Sequence, residues 1–228
     1  MQGDIFATKG LEYLIVVAYL VLLVMAVKYL APPQVAPAVG SRRARRGPPP
    51  APWFALADGL RFHQGHSWVS DRGGEVVTVG LDDFAAQLVG APDAIALPAV
   101  GSKVRQGEIA WQVRVGDREL AMVSPVDGEV VAVNQEVLAA PQRATDDPYG
   151  MGWLLRVQAP ERRASLRNLL SGDLAVAWMR QTVERLRGLP AGALGAMLPD
   201  GGVPVRGFGR AFGSEEWDVV AREFFLTD

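Results

Sequence analysis

The first apolar run of the chain, Leu11 to Ala31, is uncharged from Tyr13 to Val27, with Glu12 and Lys28 at its edges. At ~1.5 Å per residue it reaches about 30 Å, the thickness of a hydrocarbon core, and so predicts a transmembrane helix. Tyr13 and Tyr29 stand near its two ends, where amphipathic rings favour the membrane interface. The run lacks a basic start and is followed by Ala-Pro-Pro, which argues for an uncleaved anchor rather than a signal peptide. Residues 1–31 are therefore read as an N-terminal anchor. Residues 32–53, rich in Pro, Ala and Arg, are read as a semi-stiff linker unable to pack a core.

Beyond the linker the period changes. Val76-Val77-Thr78-Val79 is a β-branched run behind the turn Asp71-Arg72-Gly73-Gly74. Asp82 is placed to cap a short helix in which Phe84 and Leu88 lie four apart. Ile109 to Val115 alternates apolar and polar, Gly116-Asp117 makes a two-residue turn, and Glu119 to Val123 returns: a tight hairpin. Val130 to Val133 follows as another strand. Short strands with regular turns predict a small β sandwich or barrel over residues 54–160.

Residues 161–228 read as a helical C-terminal extension. Ala164 to Leu170 predicts one short helix. Leu174, Ala175, Trp178, Met179, Thr182, Val183 and Leu186 share one face of a second, started by Asp173 and stopped by Gly188 and Pro190. Residues 190–212, rich in Gly and Pro, read as irregular. Trp217, Val220, Ala221, Phe224 and Phe225 then recur at helical spacing. That aromatic stripe either packs back on the domain or anchors a partner, and Trp217, Val220, Phe224 and Phe225 are the partner-binding candidates.

Charge adds an orientation. Arg42, Arg43, Arg45 and Arg46 follow the apolar run, whereas only Asp4 and Lys9 precede it. Positive residues favour the cytoplasmic side, so the domain is expected in the cytoplasm, tethered to the inner membrane in a single pass. The net charge of -2 gives no reason to expect nucleic acid. With no cysteine, the chain supplies no disulfide, thiolate nucleophile or cysteine-ligated metal. His63 and His66 are the only histidines, and two ligands fall short of a usual zinc set. Asp82-Asp83 reads as a cap rather than an acid/base pair, and Gly201-Gly202 lacks the lysine of a phosphate loop. No catalytic set, metal site or cofactor site is expected.

Five segments carry a family resemblance. They are His66-Ser67-Trp68-Val69, Val79 to Ala85, Leu97-Pro98-Ala99-Val100-Gly101, Ser124 to Asn134, and Asp147-Pro148-Tyr149-Gly150-x-Gly152-Trp153-Leu154. In this order and spacing they resemble the lipoyl-carrying H protein of the glycine cleavage system. The resemblance implies a mainly β barrel-sandwich hybrid, the fold of lipoyl and biotinyl domains. It also implies a lysine at a hairpin tip, carrying lipoate through an amide. Here the position seven residues before Ser124-Pro125-Val126 holds Asp117, where the family reads Glu-Ser-Val-Lys. Only Lys9, Lys28 and Lys103 occur in the chain, and Lys103 falls on a different loop.

The expectation is therefore a noncatalytic, membrane-anchored accessory or assembly subunit of a multisubunit membrane complex, such as a respiratory electron-transfer assembly. Its partners would be the lipid bilayer and the other subunits. The first alternative is a lipoyl-carrying H protein meeting a glycine decarboxylase, an aminomethyl transferase and a lipoamide dehydrogenase. The second is a membrane-fusion-type adaptor, which needs the opposite topology.

Overall fold

A computed structural model describes residues 14–23, 25, 53–189 and 202–227. It divides into a unit at Met1–Ala51 and one at Pro52–Asp228. In the first, residues 14–23 and 25 are helical with exposed side chains. Among the described residues no helix is long and apolar enough to cross a membrane. The expected transmembrane helix of Leu11–Ala31 is thus not supported. The rest of that span, with the arginine cluster, lies outside the described residues.

The second unit is mainly β, as the alternation predicts. Strands β1 (Arg61–His63), β2 (Ser67–Ser70), β3 (Val76–Leu81), β5 (Lys103–Val104), β8 (Gly128–Val133) and β9 (Leu155–Gln158) form one sheet in the order β1-β2-β3-β9-β8-β5. Strands β4 (Ala94–Ala96), β6 (Ile109–Val115) and β7 (Arg118–Val123) form a second, in the order β4-β6-β7. All pairs of named strands are antiparallel. The period of two decides which side chains enter the core. On β6, Trp111, Val113 and Val115 are buried while Gln112 and Arg114 face out. On β3, Val77, Val79 and Leu81 are buried on one face, and Gly80 on the other is covered by the Trp68 indole.

Helix α1 (Asp83–Val89) starts where expected, with the Asp82 carboxylate accepting from the Ala85 N–H. Its Phe84, Ala85, Ala86, Leu88 and Val89 are buried. Two short helices, α2 (Gln135–Ala139) and α3 (Arg143–Asp146), lead into the Asp147-Pro148-Tyr149 segment. The extension follows as α4 (Arg162–Arg167), α5 (Gly172–Arg187), a 3-10 turn at Phe208–Ala211 and α6 (Ser214–Phe225). It shares the core of the β domain. Helix α5 buries Ala175, Trp178, Met179, Thr182 and Leu186. Leu174, expected on that face, is 69% exposed, whereas its neighbour Ala175 is buried.

The aromatic stripe is resolved in favour of packing. Trp217, Val220, Phe224 and Phe225 are at most 5% exposed, joined by Phe208 and Phe212. They therefore offer no free surface to a partner. The hydrophobic effect decides this: burying a large apolar side chain stabilises by about 1.5–3 kcal/mol, and the sheets leave a face for them to cover.

Candidate functional site

The hairpin of β6 and β7 closes with Val115 opposite Arg118, leaving Gly116 and Asp117 as the turn. Gly116 has φ +62°, and no other residue at the tip is left-handed. A glycine with positive φ at the first of two central positions is the signature of a type II′ turn. The Gly116 N–H donates to Asp93 Oδ2 at 2.6 Å, tying the tip to the loop before β4. Asp117 is exposed at the apex.

The extension grips this hairpin. The Arg118 guanidinium donates to the Gly209 carbonyl at 3.1 Å and to the Phe212 carbonyl, and lies 5.4 Å from the Trp217 ring centroid. Between tip and extension lies a cleft of about 350 Å³ whose lining includes Asp93, Asp117, Arg118, Arg210 and Trp217. Arg210 in turn donates to the Ala91 carbonyl. Sequence reading missed the role of Arg118. Its only signal was an arginine directly after the turn, which a solvated hairpin explains equally well.

Lys103, the one described lysine, is exposed on β5 opposite Glu129 of β8. It is not at the hairpin tip. Amide attachment of lipoate needs an amine, and the tip presents a carboxylate. The residues at the tip do not fit a lipoyl group.

Three of the motif residues, His66, Asp82 and Phe84, meet elsewhere, against side chains of α5 and α6. His66 is fully buried, its Nδ1 2.8 Å from Asp82 Oδ2, while Asp82 Oδ1 accepts from the Ala85 N–H. Its ring stacks on Phe84 at 4.0 Å between centroids and lies 4.9 Å from Trp178 and 5.4 Å from Phe225. Its φ of +59° is strained for a residue with a Cβ, a cost of order 1–3 kcal/mol. The Asp82 bond and the aromatic stack hold it there. His66 Nε2 is buried without a hydrogen-bond partner, as are Trp178 Nε1, Thr182 Oγ1 and Arg185 Nε. No three His, Asp or Glu side chains among the described residues converge as metal ligands.

Trp68 and the Asp-Pro-Tyr-Gly segment form a latch. Trp68 Nε1 donates to the Pro148 carbonyl at 3.0 Å. The Tyr149 hydroxyl donates to the Ala55 carbonyl at 2.7 Å and accepts from the Asp83 N–H at 3.0 Å. Burial pushes the Tyr149 phenol far above its ordinary value, so the hydroxyl stays protonated. Burial also raises the Asp83 carboxyl, against the opposing hydrogen bond from the Ala55 N–H. Gly80 is required here because a Cβ would stand 2.5 Å from the Trp68 indole. Asn134 completes the group by donating to the Met151 and Trp153 carbonyls at 2.8 and 2.7 Å.

His63 carries a pH dependence. Its Nδ1 accepts from the Gly65 N–H at 3.0 Å, a bond that only the unprotonated nitrogen can make. Burial, with a smaller contribution from His66, lowers its pKa below the ordinary histidine value. The unfolded chain therefore binds this proton first as pH falls. His63 costs no stability above about pH 6.5, the ordinary histidine value, and costs progressively more below it. Urea midpoints of wild type and His63→Gln at pH 7.5 and 5.5 measure this. The wild type is expected to lose more on acidification, because glutamine can still accept from Gly65 without titrating. Equal losses would refute it.

The sequence matches the Glycine cleavage H-protein family over residues 60–182, more than half of the chain. A glycine cleavage system H protein of Idiomarina loihiensis is 37% identical over 117 residues, covering 50% of this chain and 88% of that protein. One of Thermobifida fusca is 39% identical over 107 residues, covering 47% and 84% respectively. The chain belongs to the glycine cleavage H-protein family. A crystal structure of the Mycobacterium marinum H protein is 26% identical with a TM-score of 0.48, covering 59% of this chain and 100% of that one.

Family membership corrects the expected function. Relatives at this identity are named glycine cleavage system H proteins, which opposes a subunit of a respiratory or other membrane complex. The H-protein match begins at residue 60, and the extension beyond 182, including the Arg118 clamp partners, lies outside it.

Proposed function

We propose that the chain acts as an H protein of glycine cleavage type, a noncatalytic protein that docks with the enzymes of that system. The observation that supports this most is the family match over residues 60–182, which spans both sheets, α1 and the latch around Trp68. Asp117 modifies the reading. The hairpin keeps its turn but has no amine to load, so the chain would dock without carrying a lipoyl group at the tip. A second reading, a lipoyl-carrying H protein in the full sense, is favoured by the 37–39% identity to the named relatives. Its amine among the described residues would be Lys103, on β5.

Two measurements on the full chain test this. Surface-immobilised chain is exposed to purified glycine decarboxylase and aminomethyl transferase, and saturable binding to at least one is expected. Absence of binding to both rejects the H-protein reading. Intact-mass spectrometry of chain purified from a lipoate-replete host is expected to show no added lipoyl group. A lipoyl adduct mapped to Lys103 would establish the second reading instead.

A further inference from the structure

A second groove shares no residue with the tip cleft, and its charge is unlike that of the chain as a whole. It encloses about 510 Å³ and is lined by Arg61, Asp71, Arg163, Leu166 and Arg167. Strand β1 sends Phe62 into the core, so its neighbour Arg61 faces outward. Phe62 exchanges both backbone hydrogen bonds with Leu170, each 2.8 Å, which ties β1 to the chain just beyond α4. Helix α4 buries Ser165 and Leu166, with Ser165 Oγ donating to Asp127 Oδ2 at 3.0 Å. Arg163 and Arg167, four apart, are left together on its exposed side. The three arginines thus spring from backbone positions that the fold fixes, and Arg61 Nη1 donates to the Leu166 carbonyl at 3.4 Å.

Their charge is uncompensated. Asp71, the one acid of the lining, is committed: Oδ2 pairs with Arg162 Nε at 3.2 Å and Oδ1 accepts from the Gly73 N–H. Among the described residues, no carboxylate lies within ion-pair distance of Arg61, Arg163 or Arg167. Like charges four apart on a helix repel by about 0.2–0.5 kcal/mol. The chain carries a net charge of -2, so this concentration of positive charge runs against its overall sign. Guanidinium forks match phosphoryl oxygens two at a time, which a lysine ammonium cannot do.

From this geometry we infer that the groove binds a phosphate-bearing anion, with Arg61, Arg163 and Arg167 as its donors. A soluble phosphate or the headgroup of an anionic lipid would supply the same chemistry. The test uses the full chain and two probes: pyrophosphate followed by calorimetry, and sedimentation with vesicles of phosphatidylglycerol or phosphatidylcholine. The variants are Arg163→Gln with Arg167→Gln, and Arg180→Gln as a control on the exposed side of α5. Both altered arginines are exposed, so the fold should survive. The double variant is expected to weaken binding by at least roughly tenfold, the control by little. Loss on pyrophosphate assigns a soluble phosphate. Loss confined to phosphatidylglycerol vesicles assigns a headgroup, since every variant keeps the same N-terminal segment. Failure of wild type to bind either probe, or binding that the double variant leaves unchanged, overturns the inference.

Discussion

Asp117→Lys should turn a chain that accepts no lipoyl group at its hairpin tip into one that accepts a single group there. The apex is exposed and the required positive φ belongs to Gly116, so a lysine at 117 fits the turn without backbone strain. The substitution puts an amine where the Asp117 carboxylate stood. Incubation with lipoate ligase, ATP and lipoate, followed by intact-mass and peptide mapping, reads the outcome as all or none. Wild type should stay unmodified and the variant should approach complete loading. If the variant stays unmodified, the missing amine is not the only barrier, and the extension packed beside Arg118 becomes the obstacle to examine. Arg118→Ala in the Asp117→Lys background separates the two, because it releases the Gly209 and Phe212 carbonyls.

Asp82→Ala should be among the most destabilising single changes in the domain, at about 2–4 kcal/mol from a lost cap and an orphaned buried polar group. The carboxylate is fully buried and each oxygen has a separate duty. Losing the cap on the Ala85 N–H costs about 1 kcal/mol. Losing the His66 partner leaves an imidazole with neither nitrogen bonded, in a site enclosed by Phe84, Trp178 and Phe225. An orphaned buried polar group costs a further ~1–3 kcal/mol, and the strained φ of His66 loses a restraint that holds it. Asp82→Asn keeps the cap and should cost clearly less. Urea unfolding of the three proteins decides it: an alanine variant within about 1 kcal/mol of wild type would show only the ordinary loss of a cap.

Much of the domain was legible in the sequence because its signals are local. The Asp82 cap, the alternation of β6 and the two-residue turn at Gly116-Asp117 each lie within a few residues, and each appears in the structure. The stripe of α6 was equally legible as a stripe. What it faced was not, because Trp217 packs against Arg118 of β7, and Phe225 against His66 and Phe84, all far away in sequence. The same limit hid the Arg118 clamp, whose acceptors are carbonyls 91 and 94 residues along the chain and carry no side-chain signature. At the site, the residue at the hairpin tip could be read directly as a carboxylate, Asp117, and the structure places it at the exposed apex. The N-terminal run misled in the opposite way, since a strong local signal was allowed to decide a function that the family match contradicts.

The Arg118 clamp makes its two ends unequal under mutation. Main-chain oxygens are supplied by every amino acid, so the acceptors themselves ask for no particular side chain; what limits Gly209 is room, since a Cβ there would stand 2.8 Å from the Leu88 carbonyl oxygen, and Phe212 is buried in the core. The donor has no such latitude. A lysine in place of Arg118 could point one ammonium at one carbonyl, but it could not span both and lie flat against an indole. The residue that grips is thus held by the shape of its head, and the segment that is gripped by its lack of room.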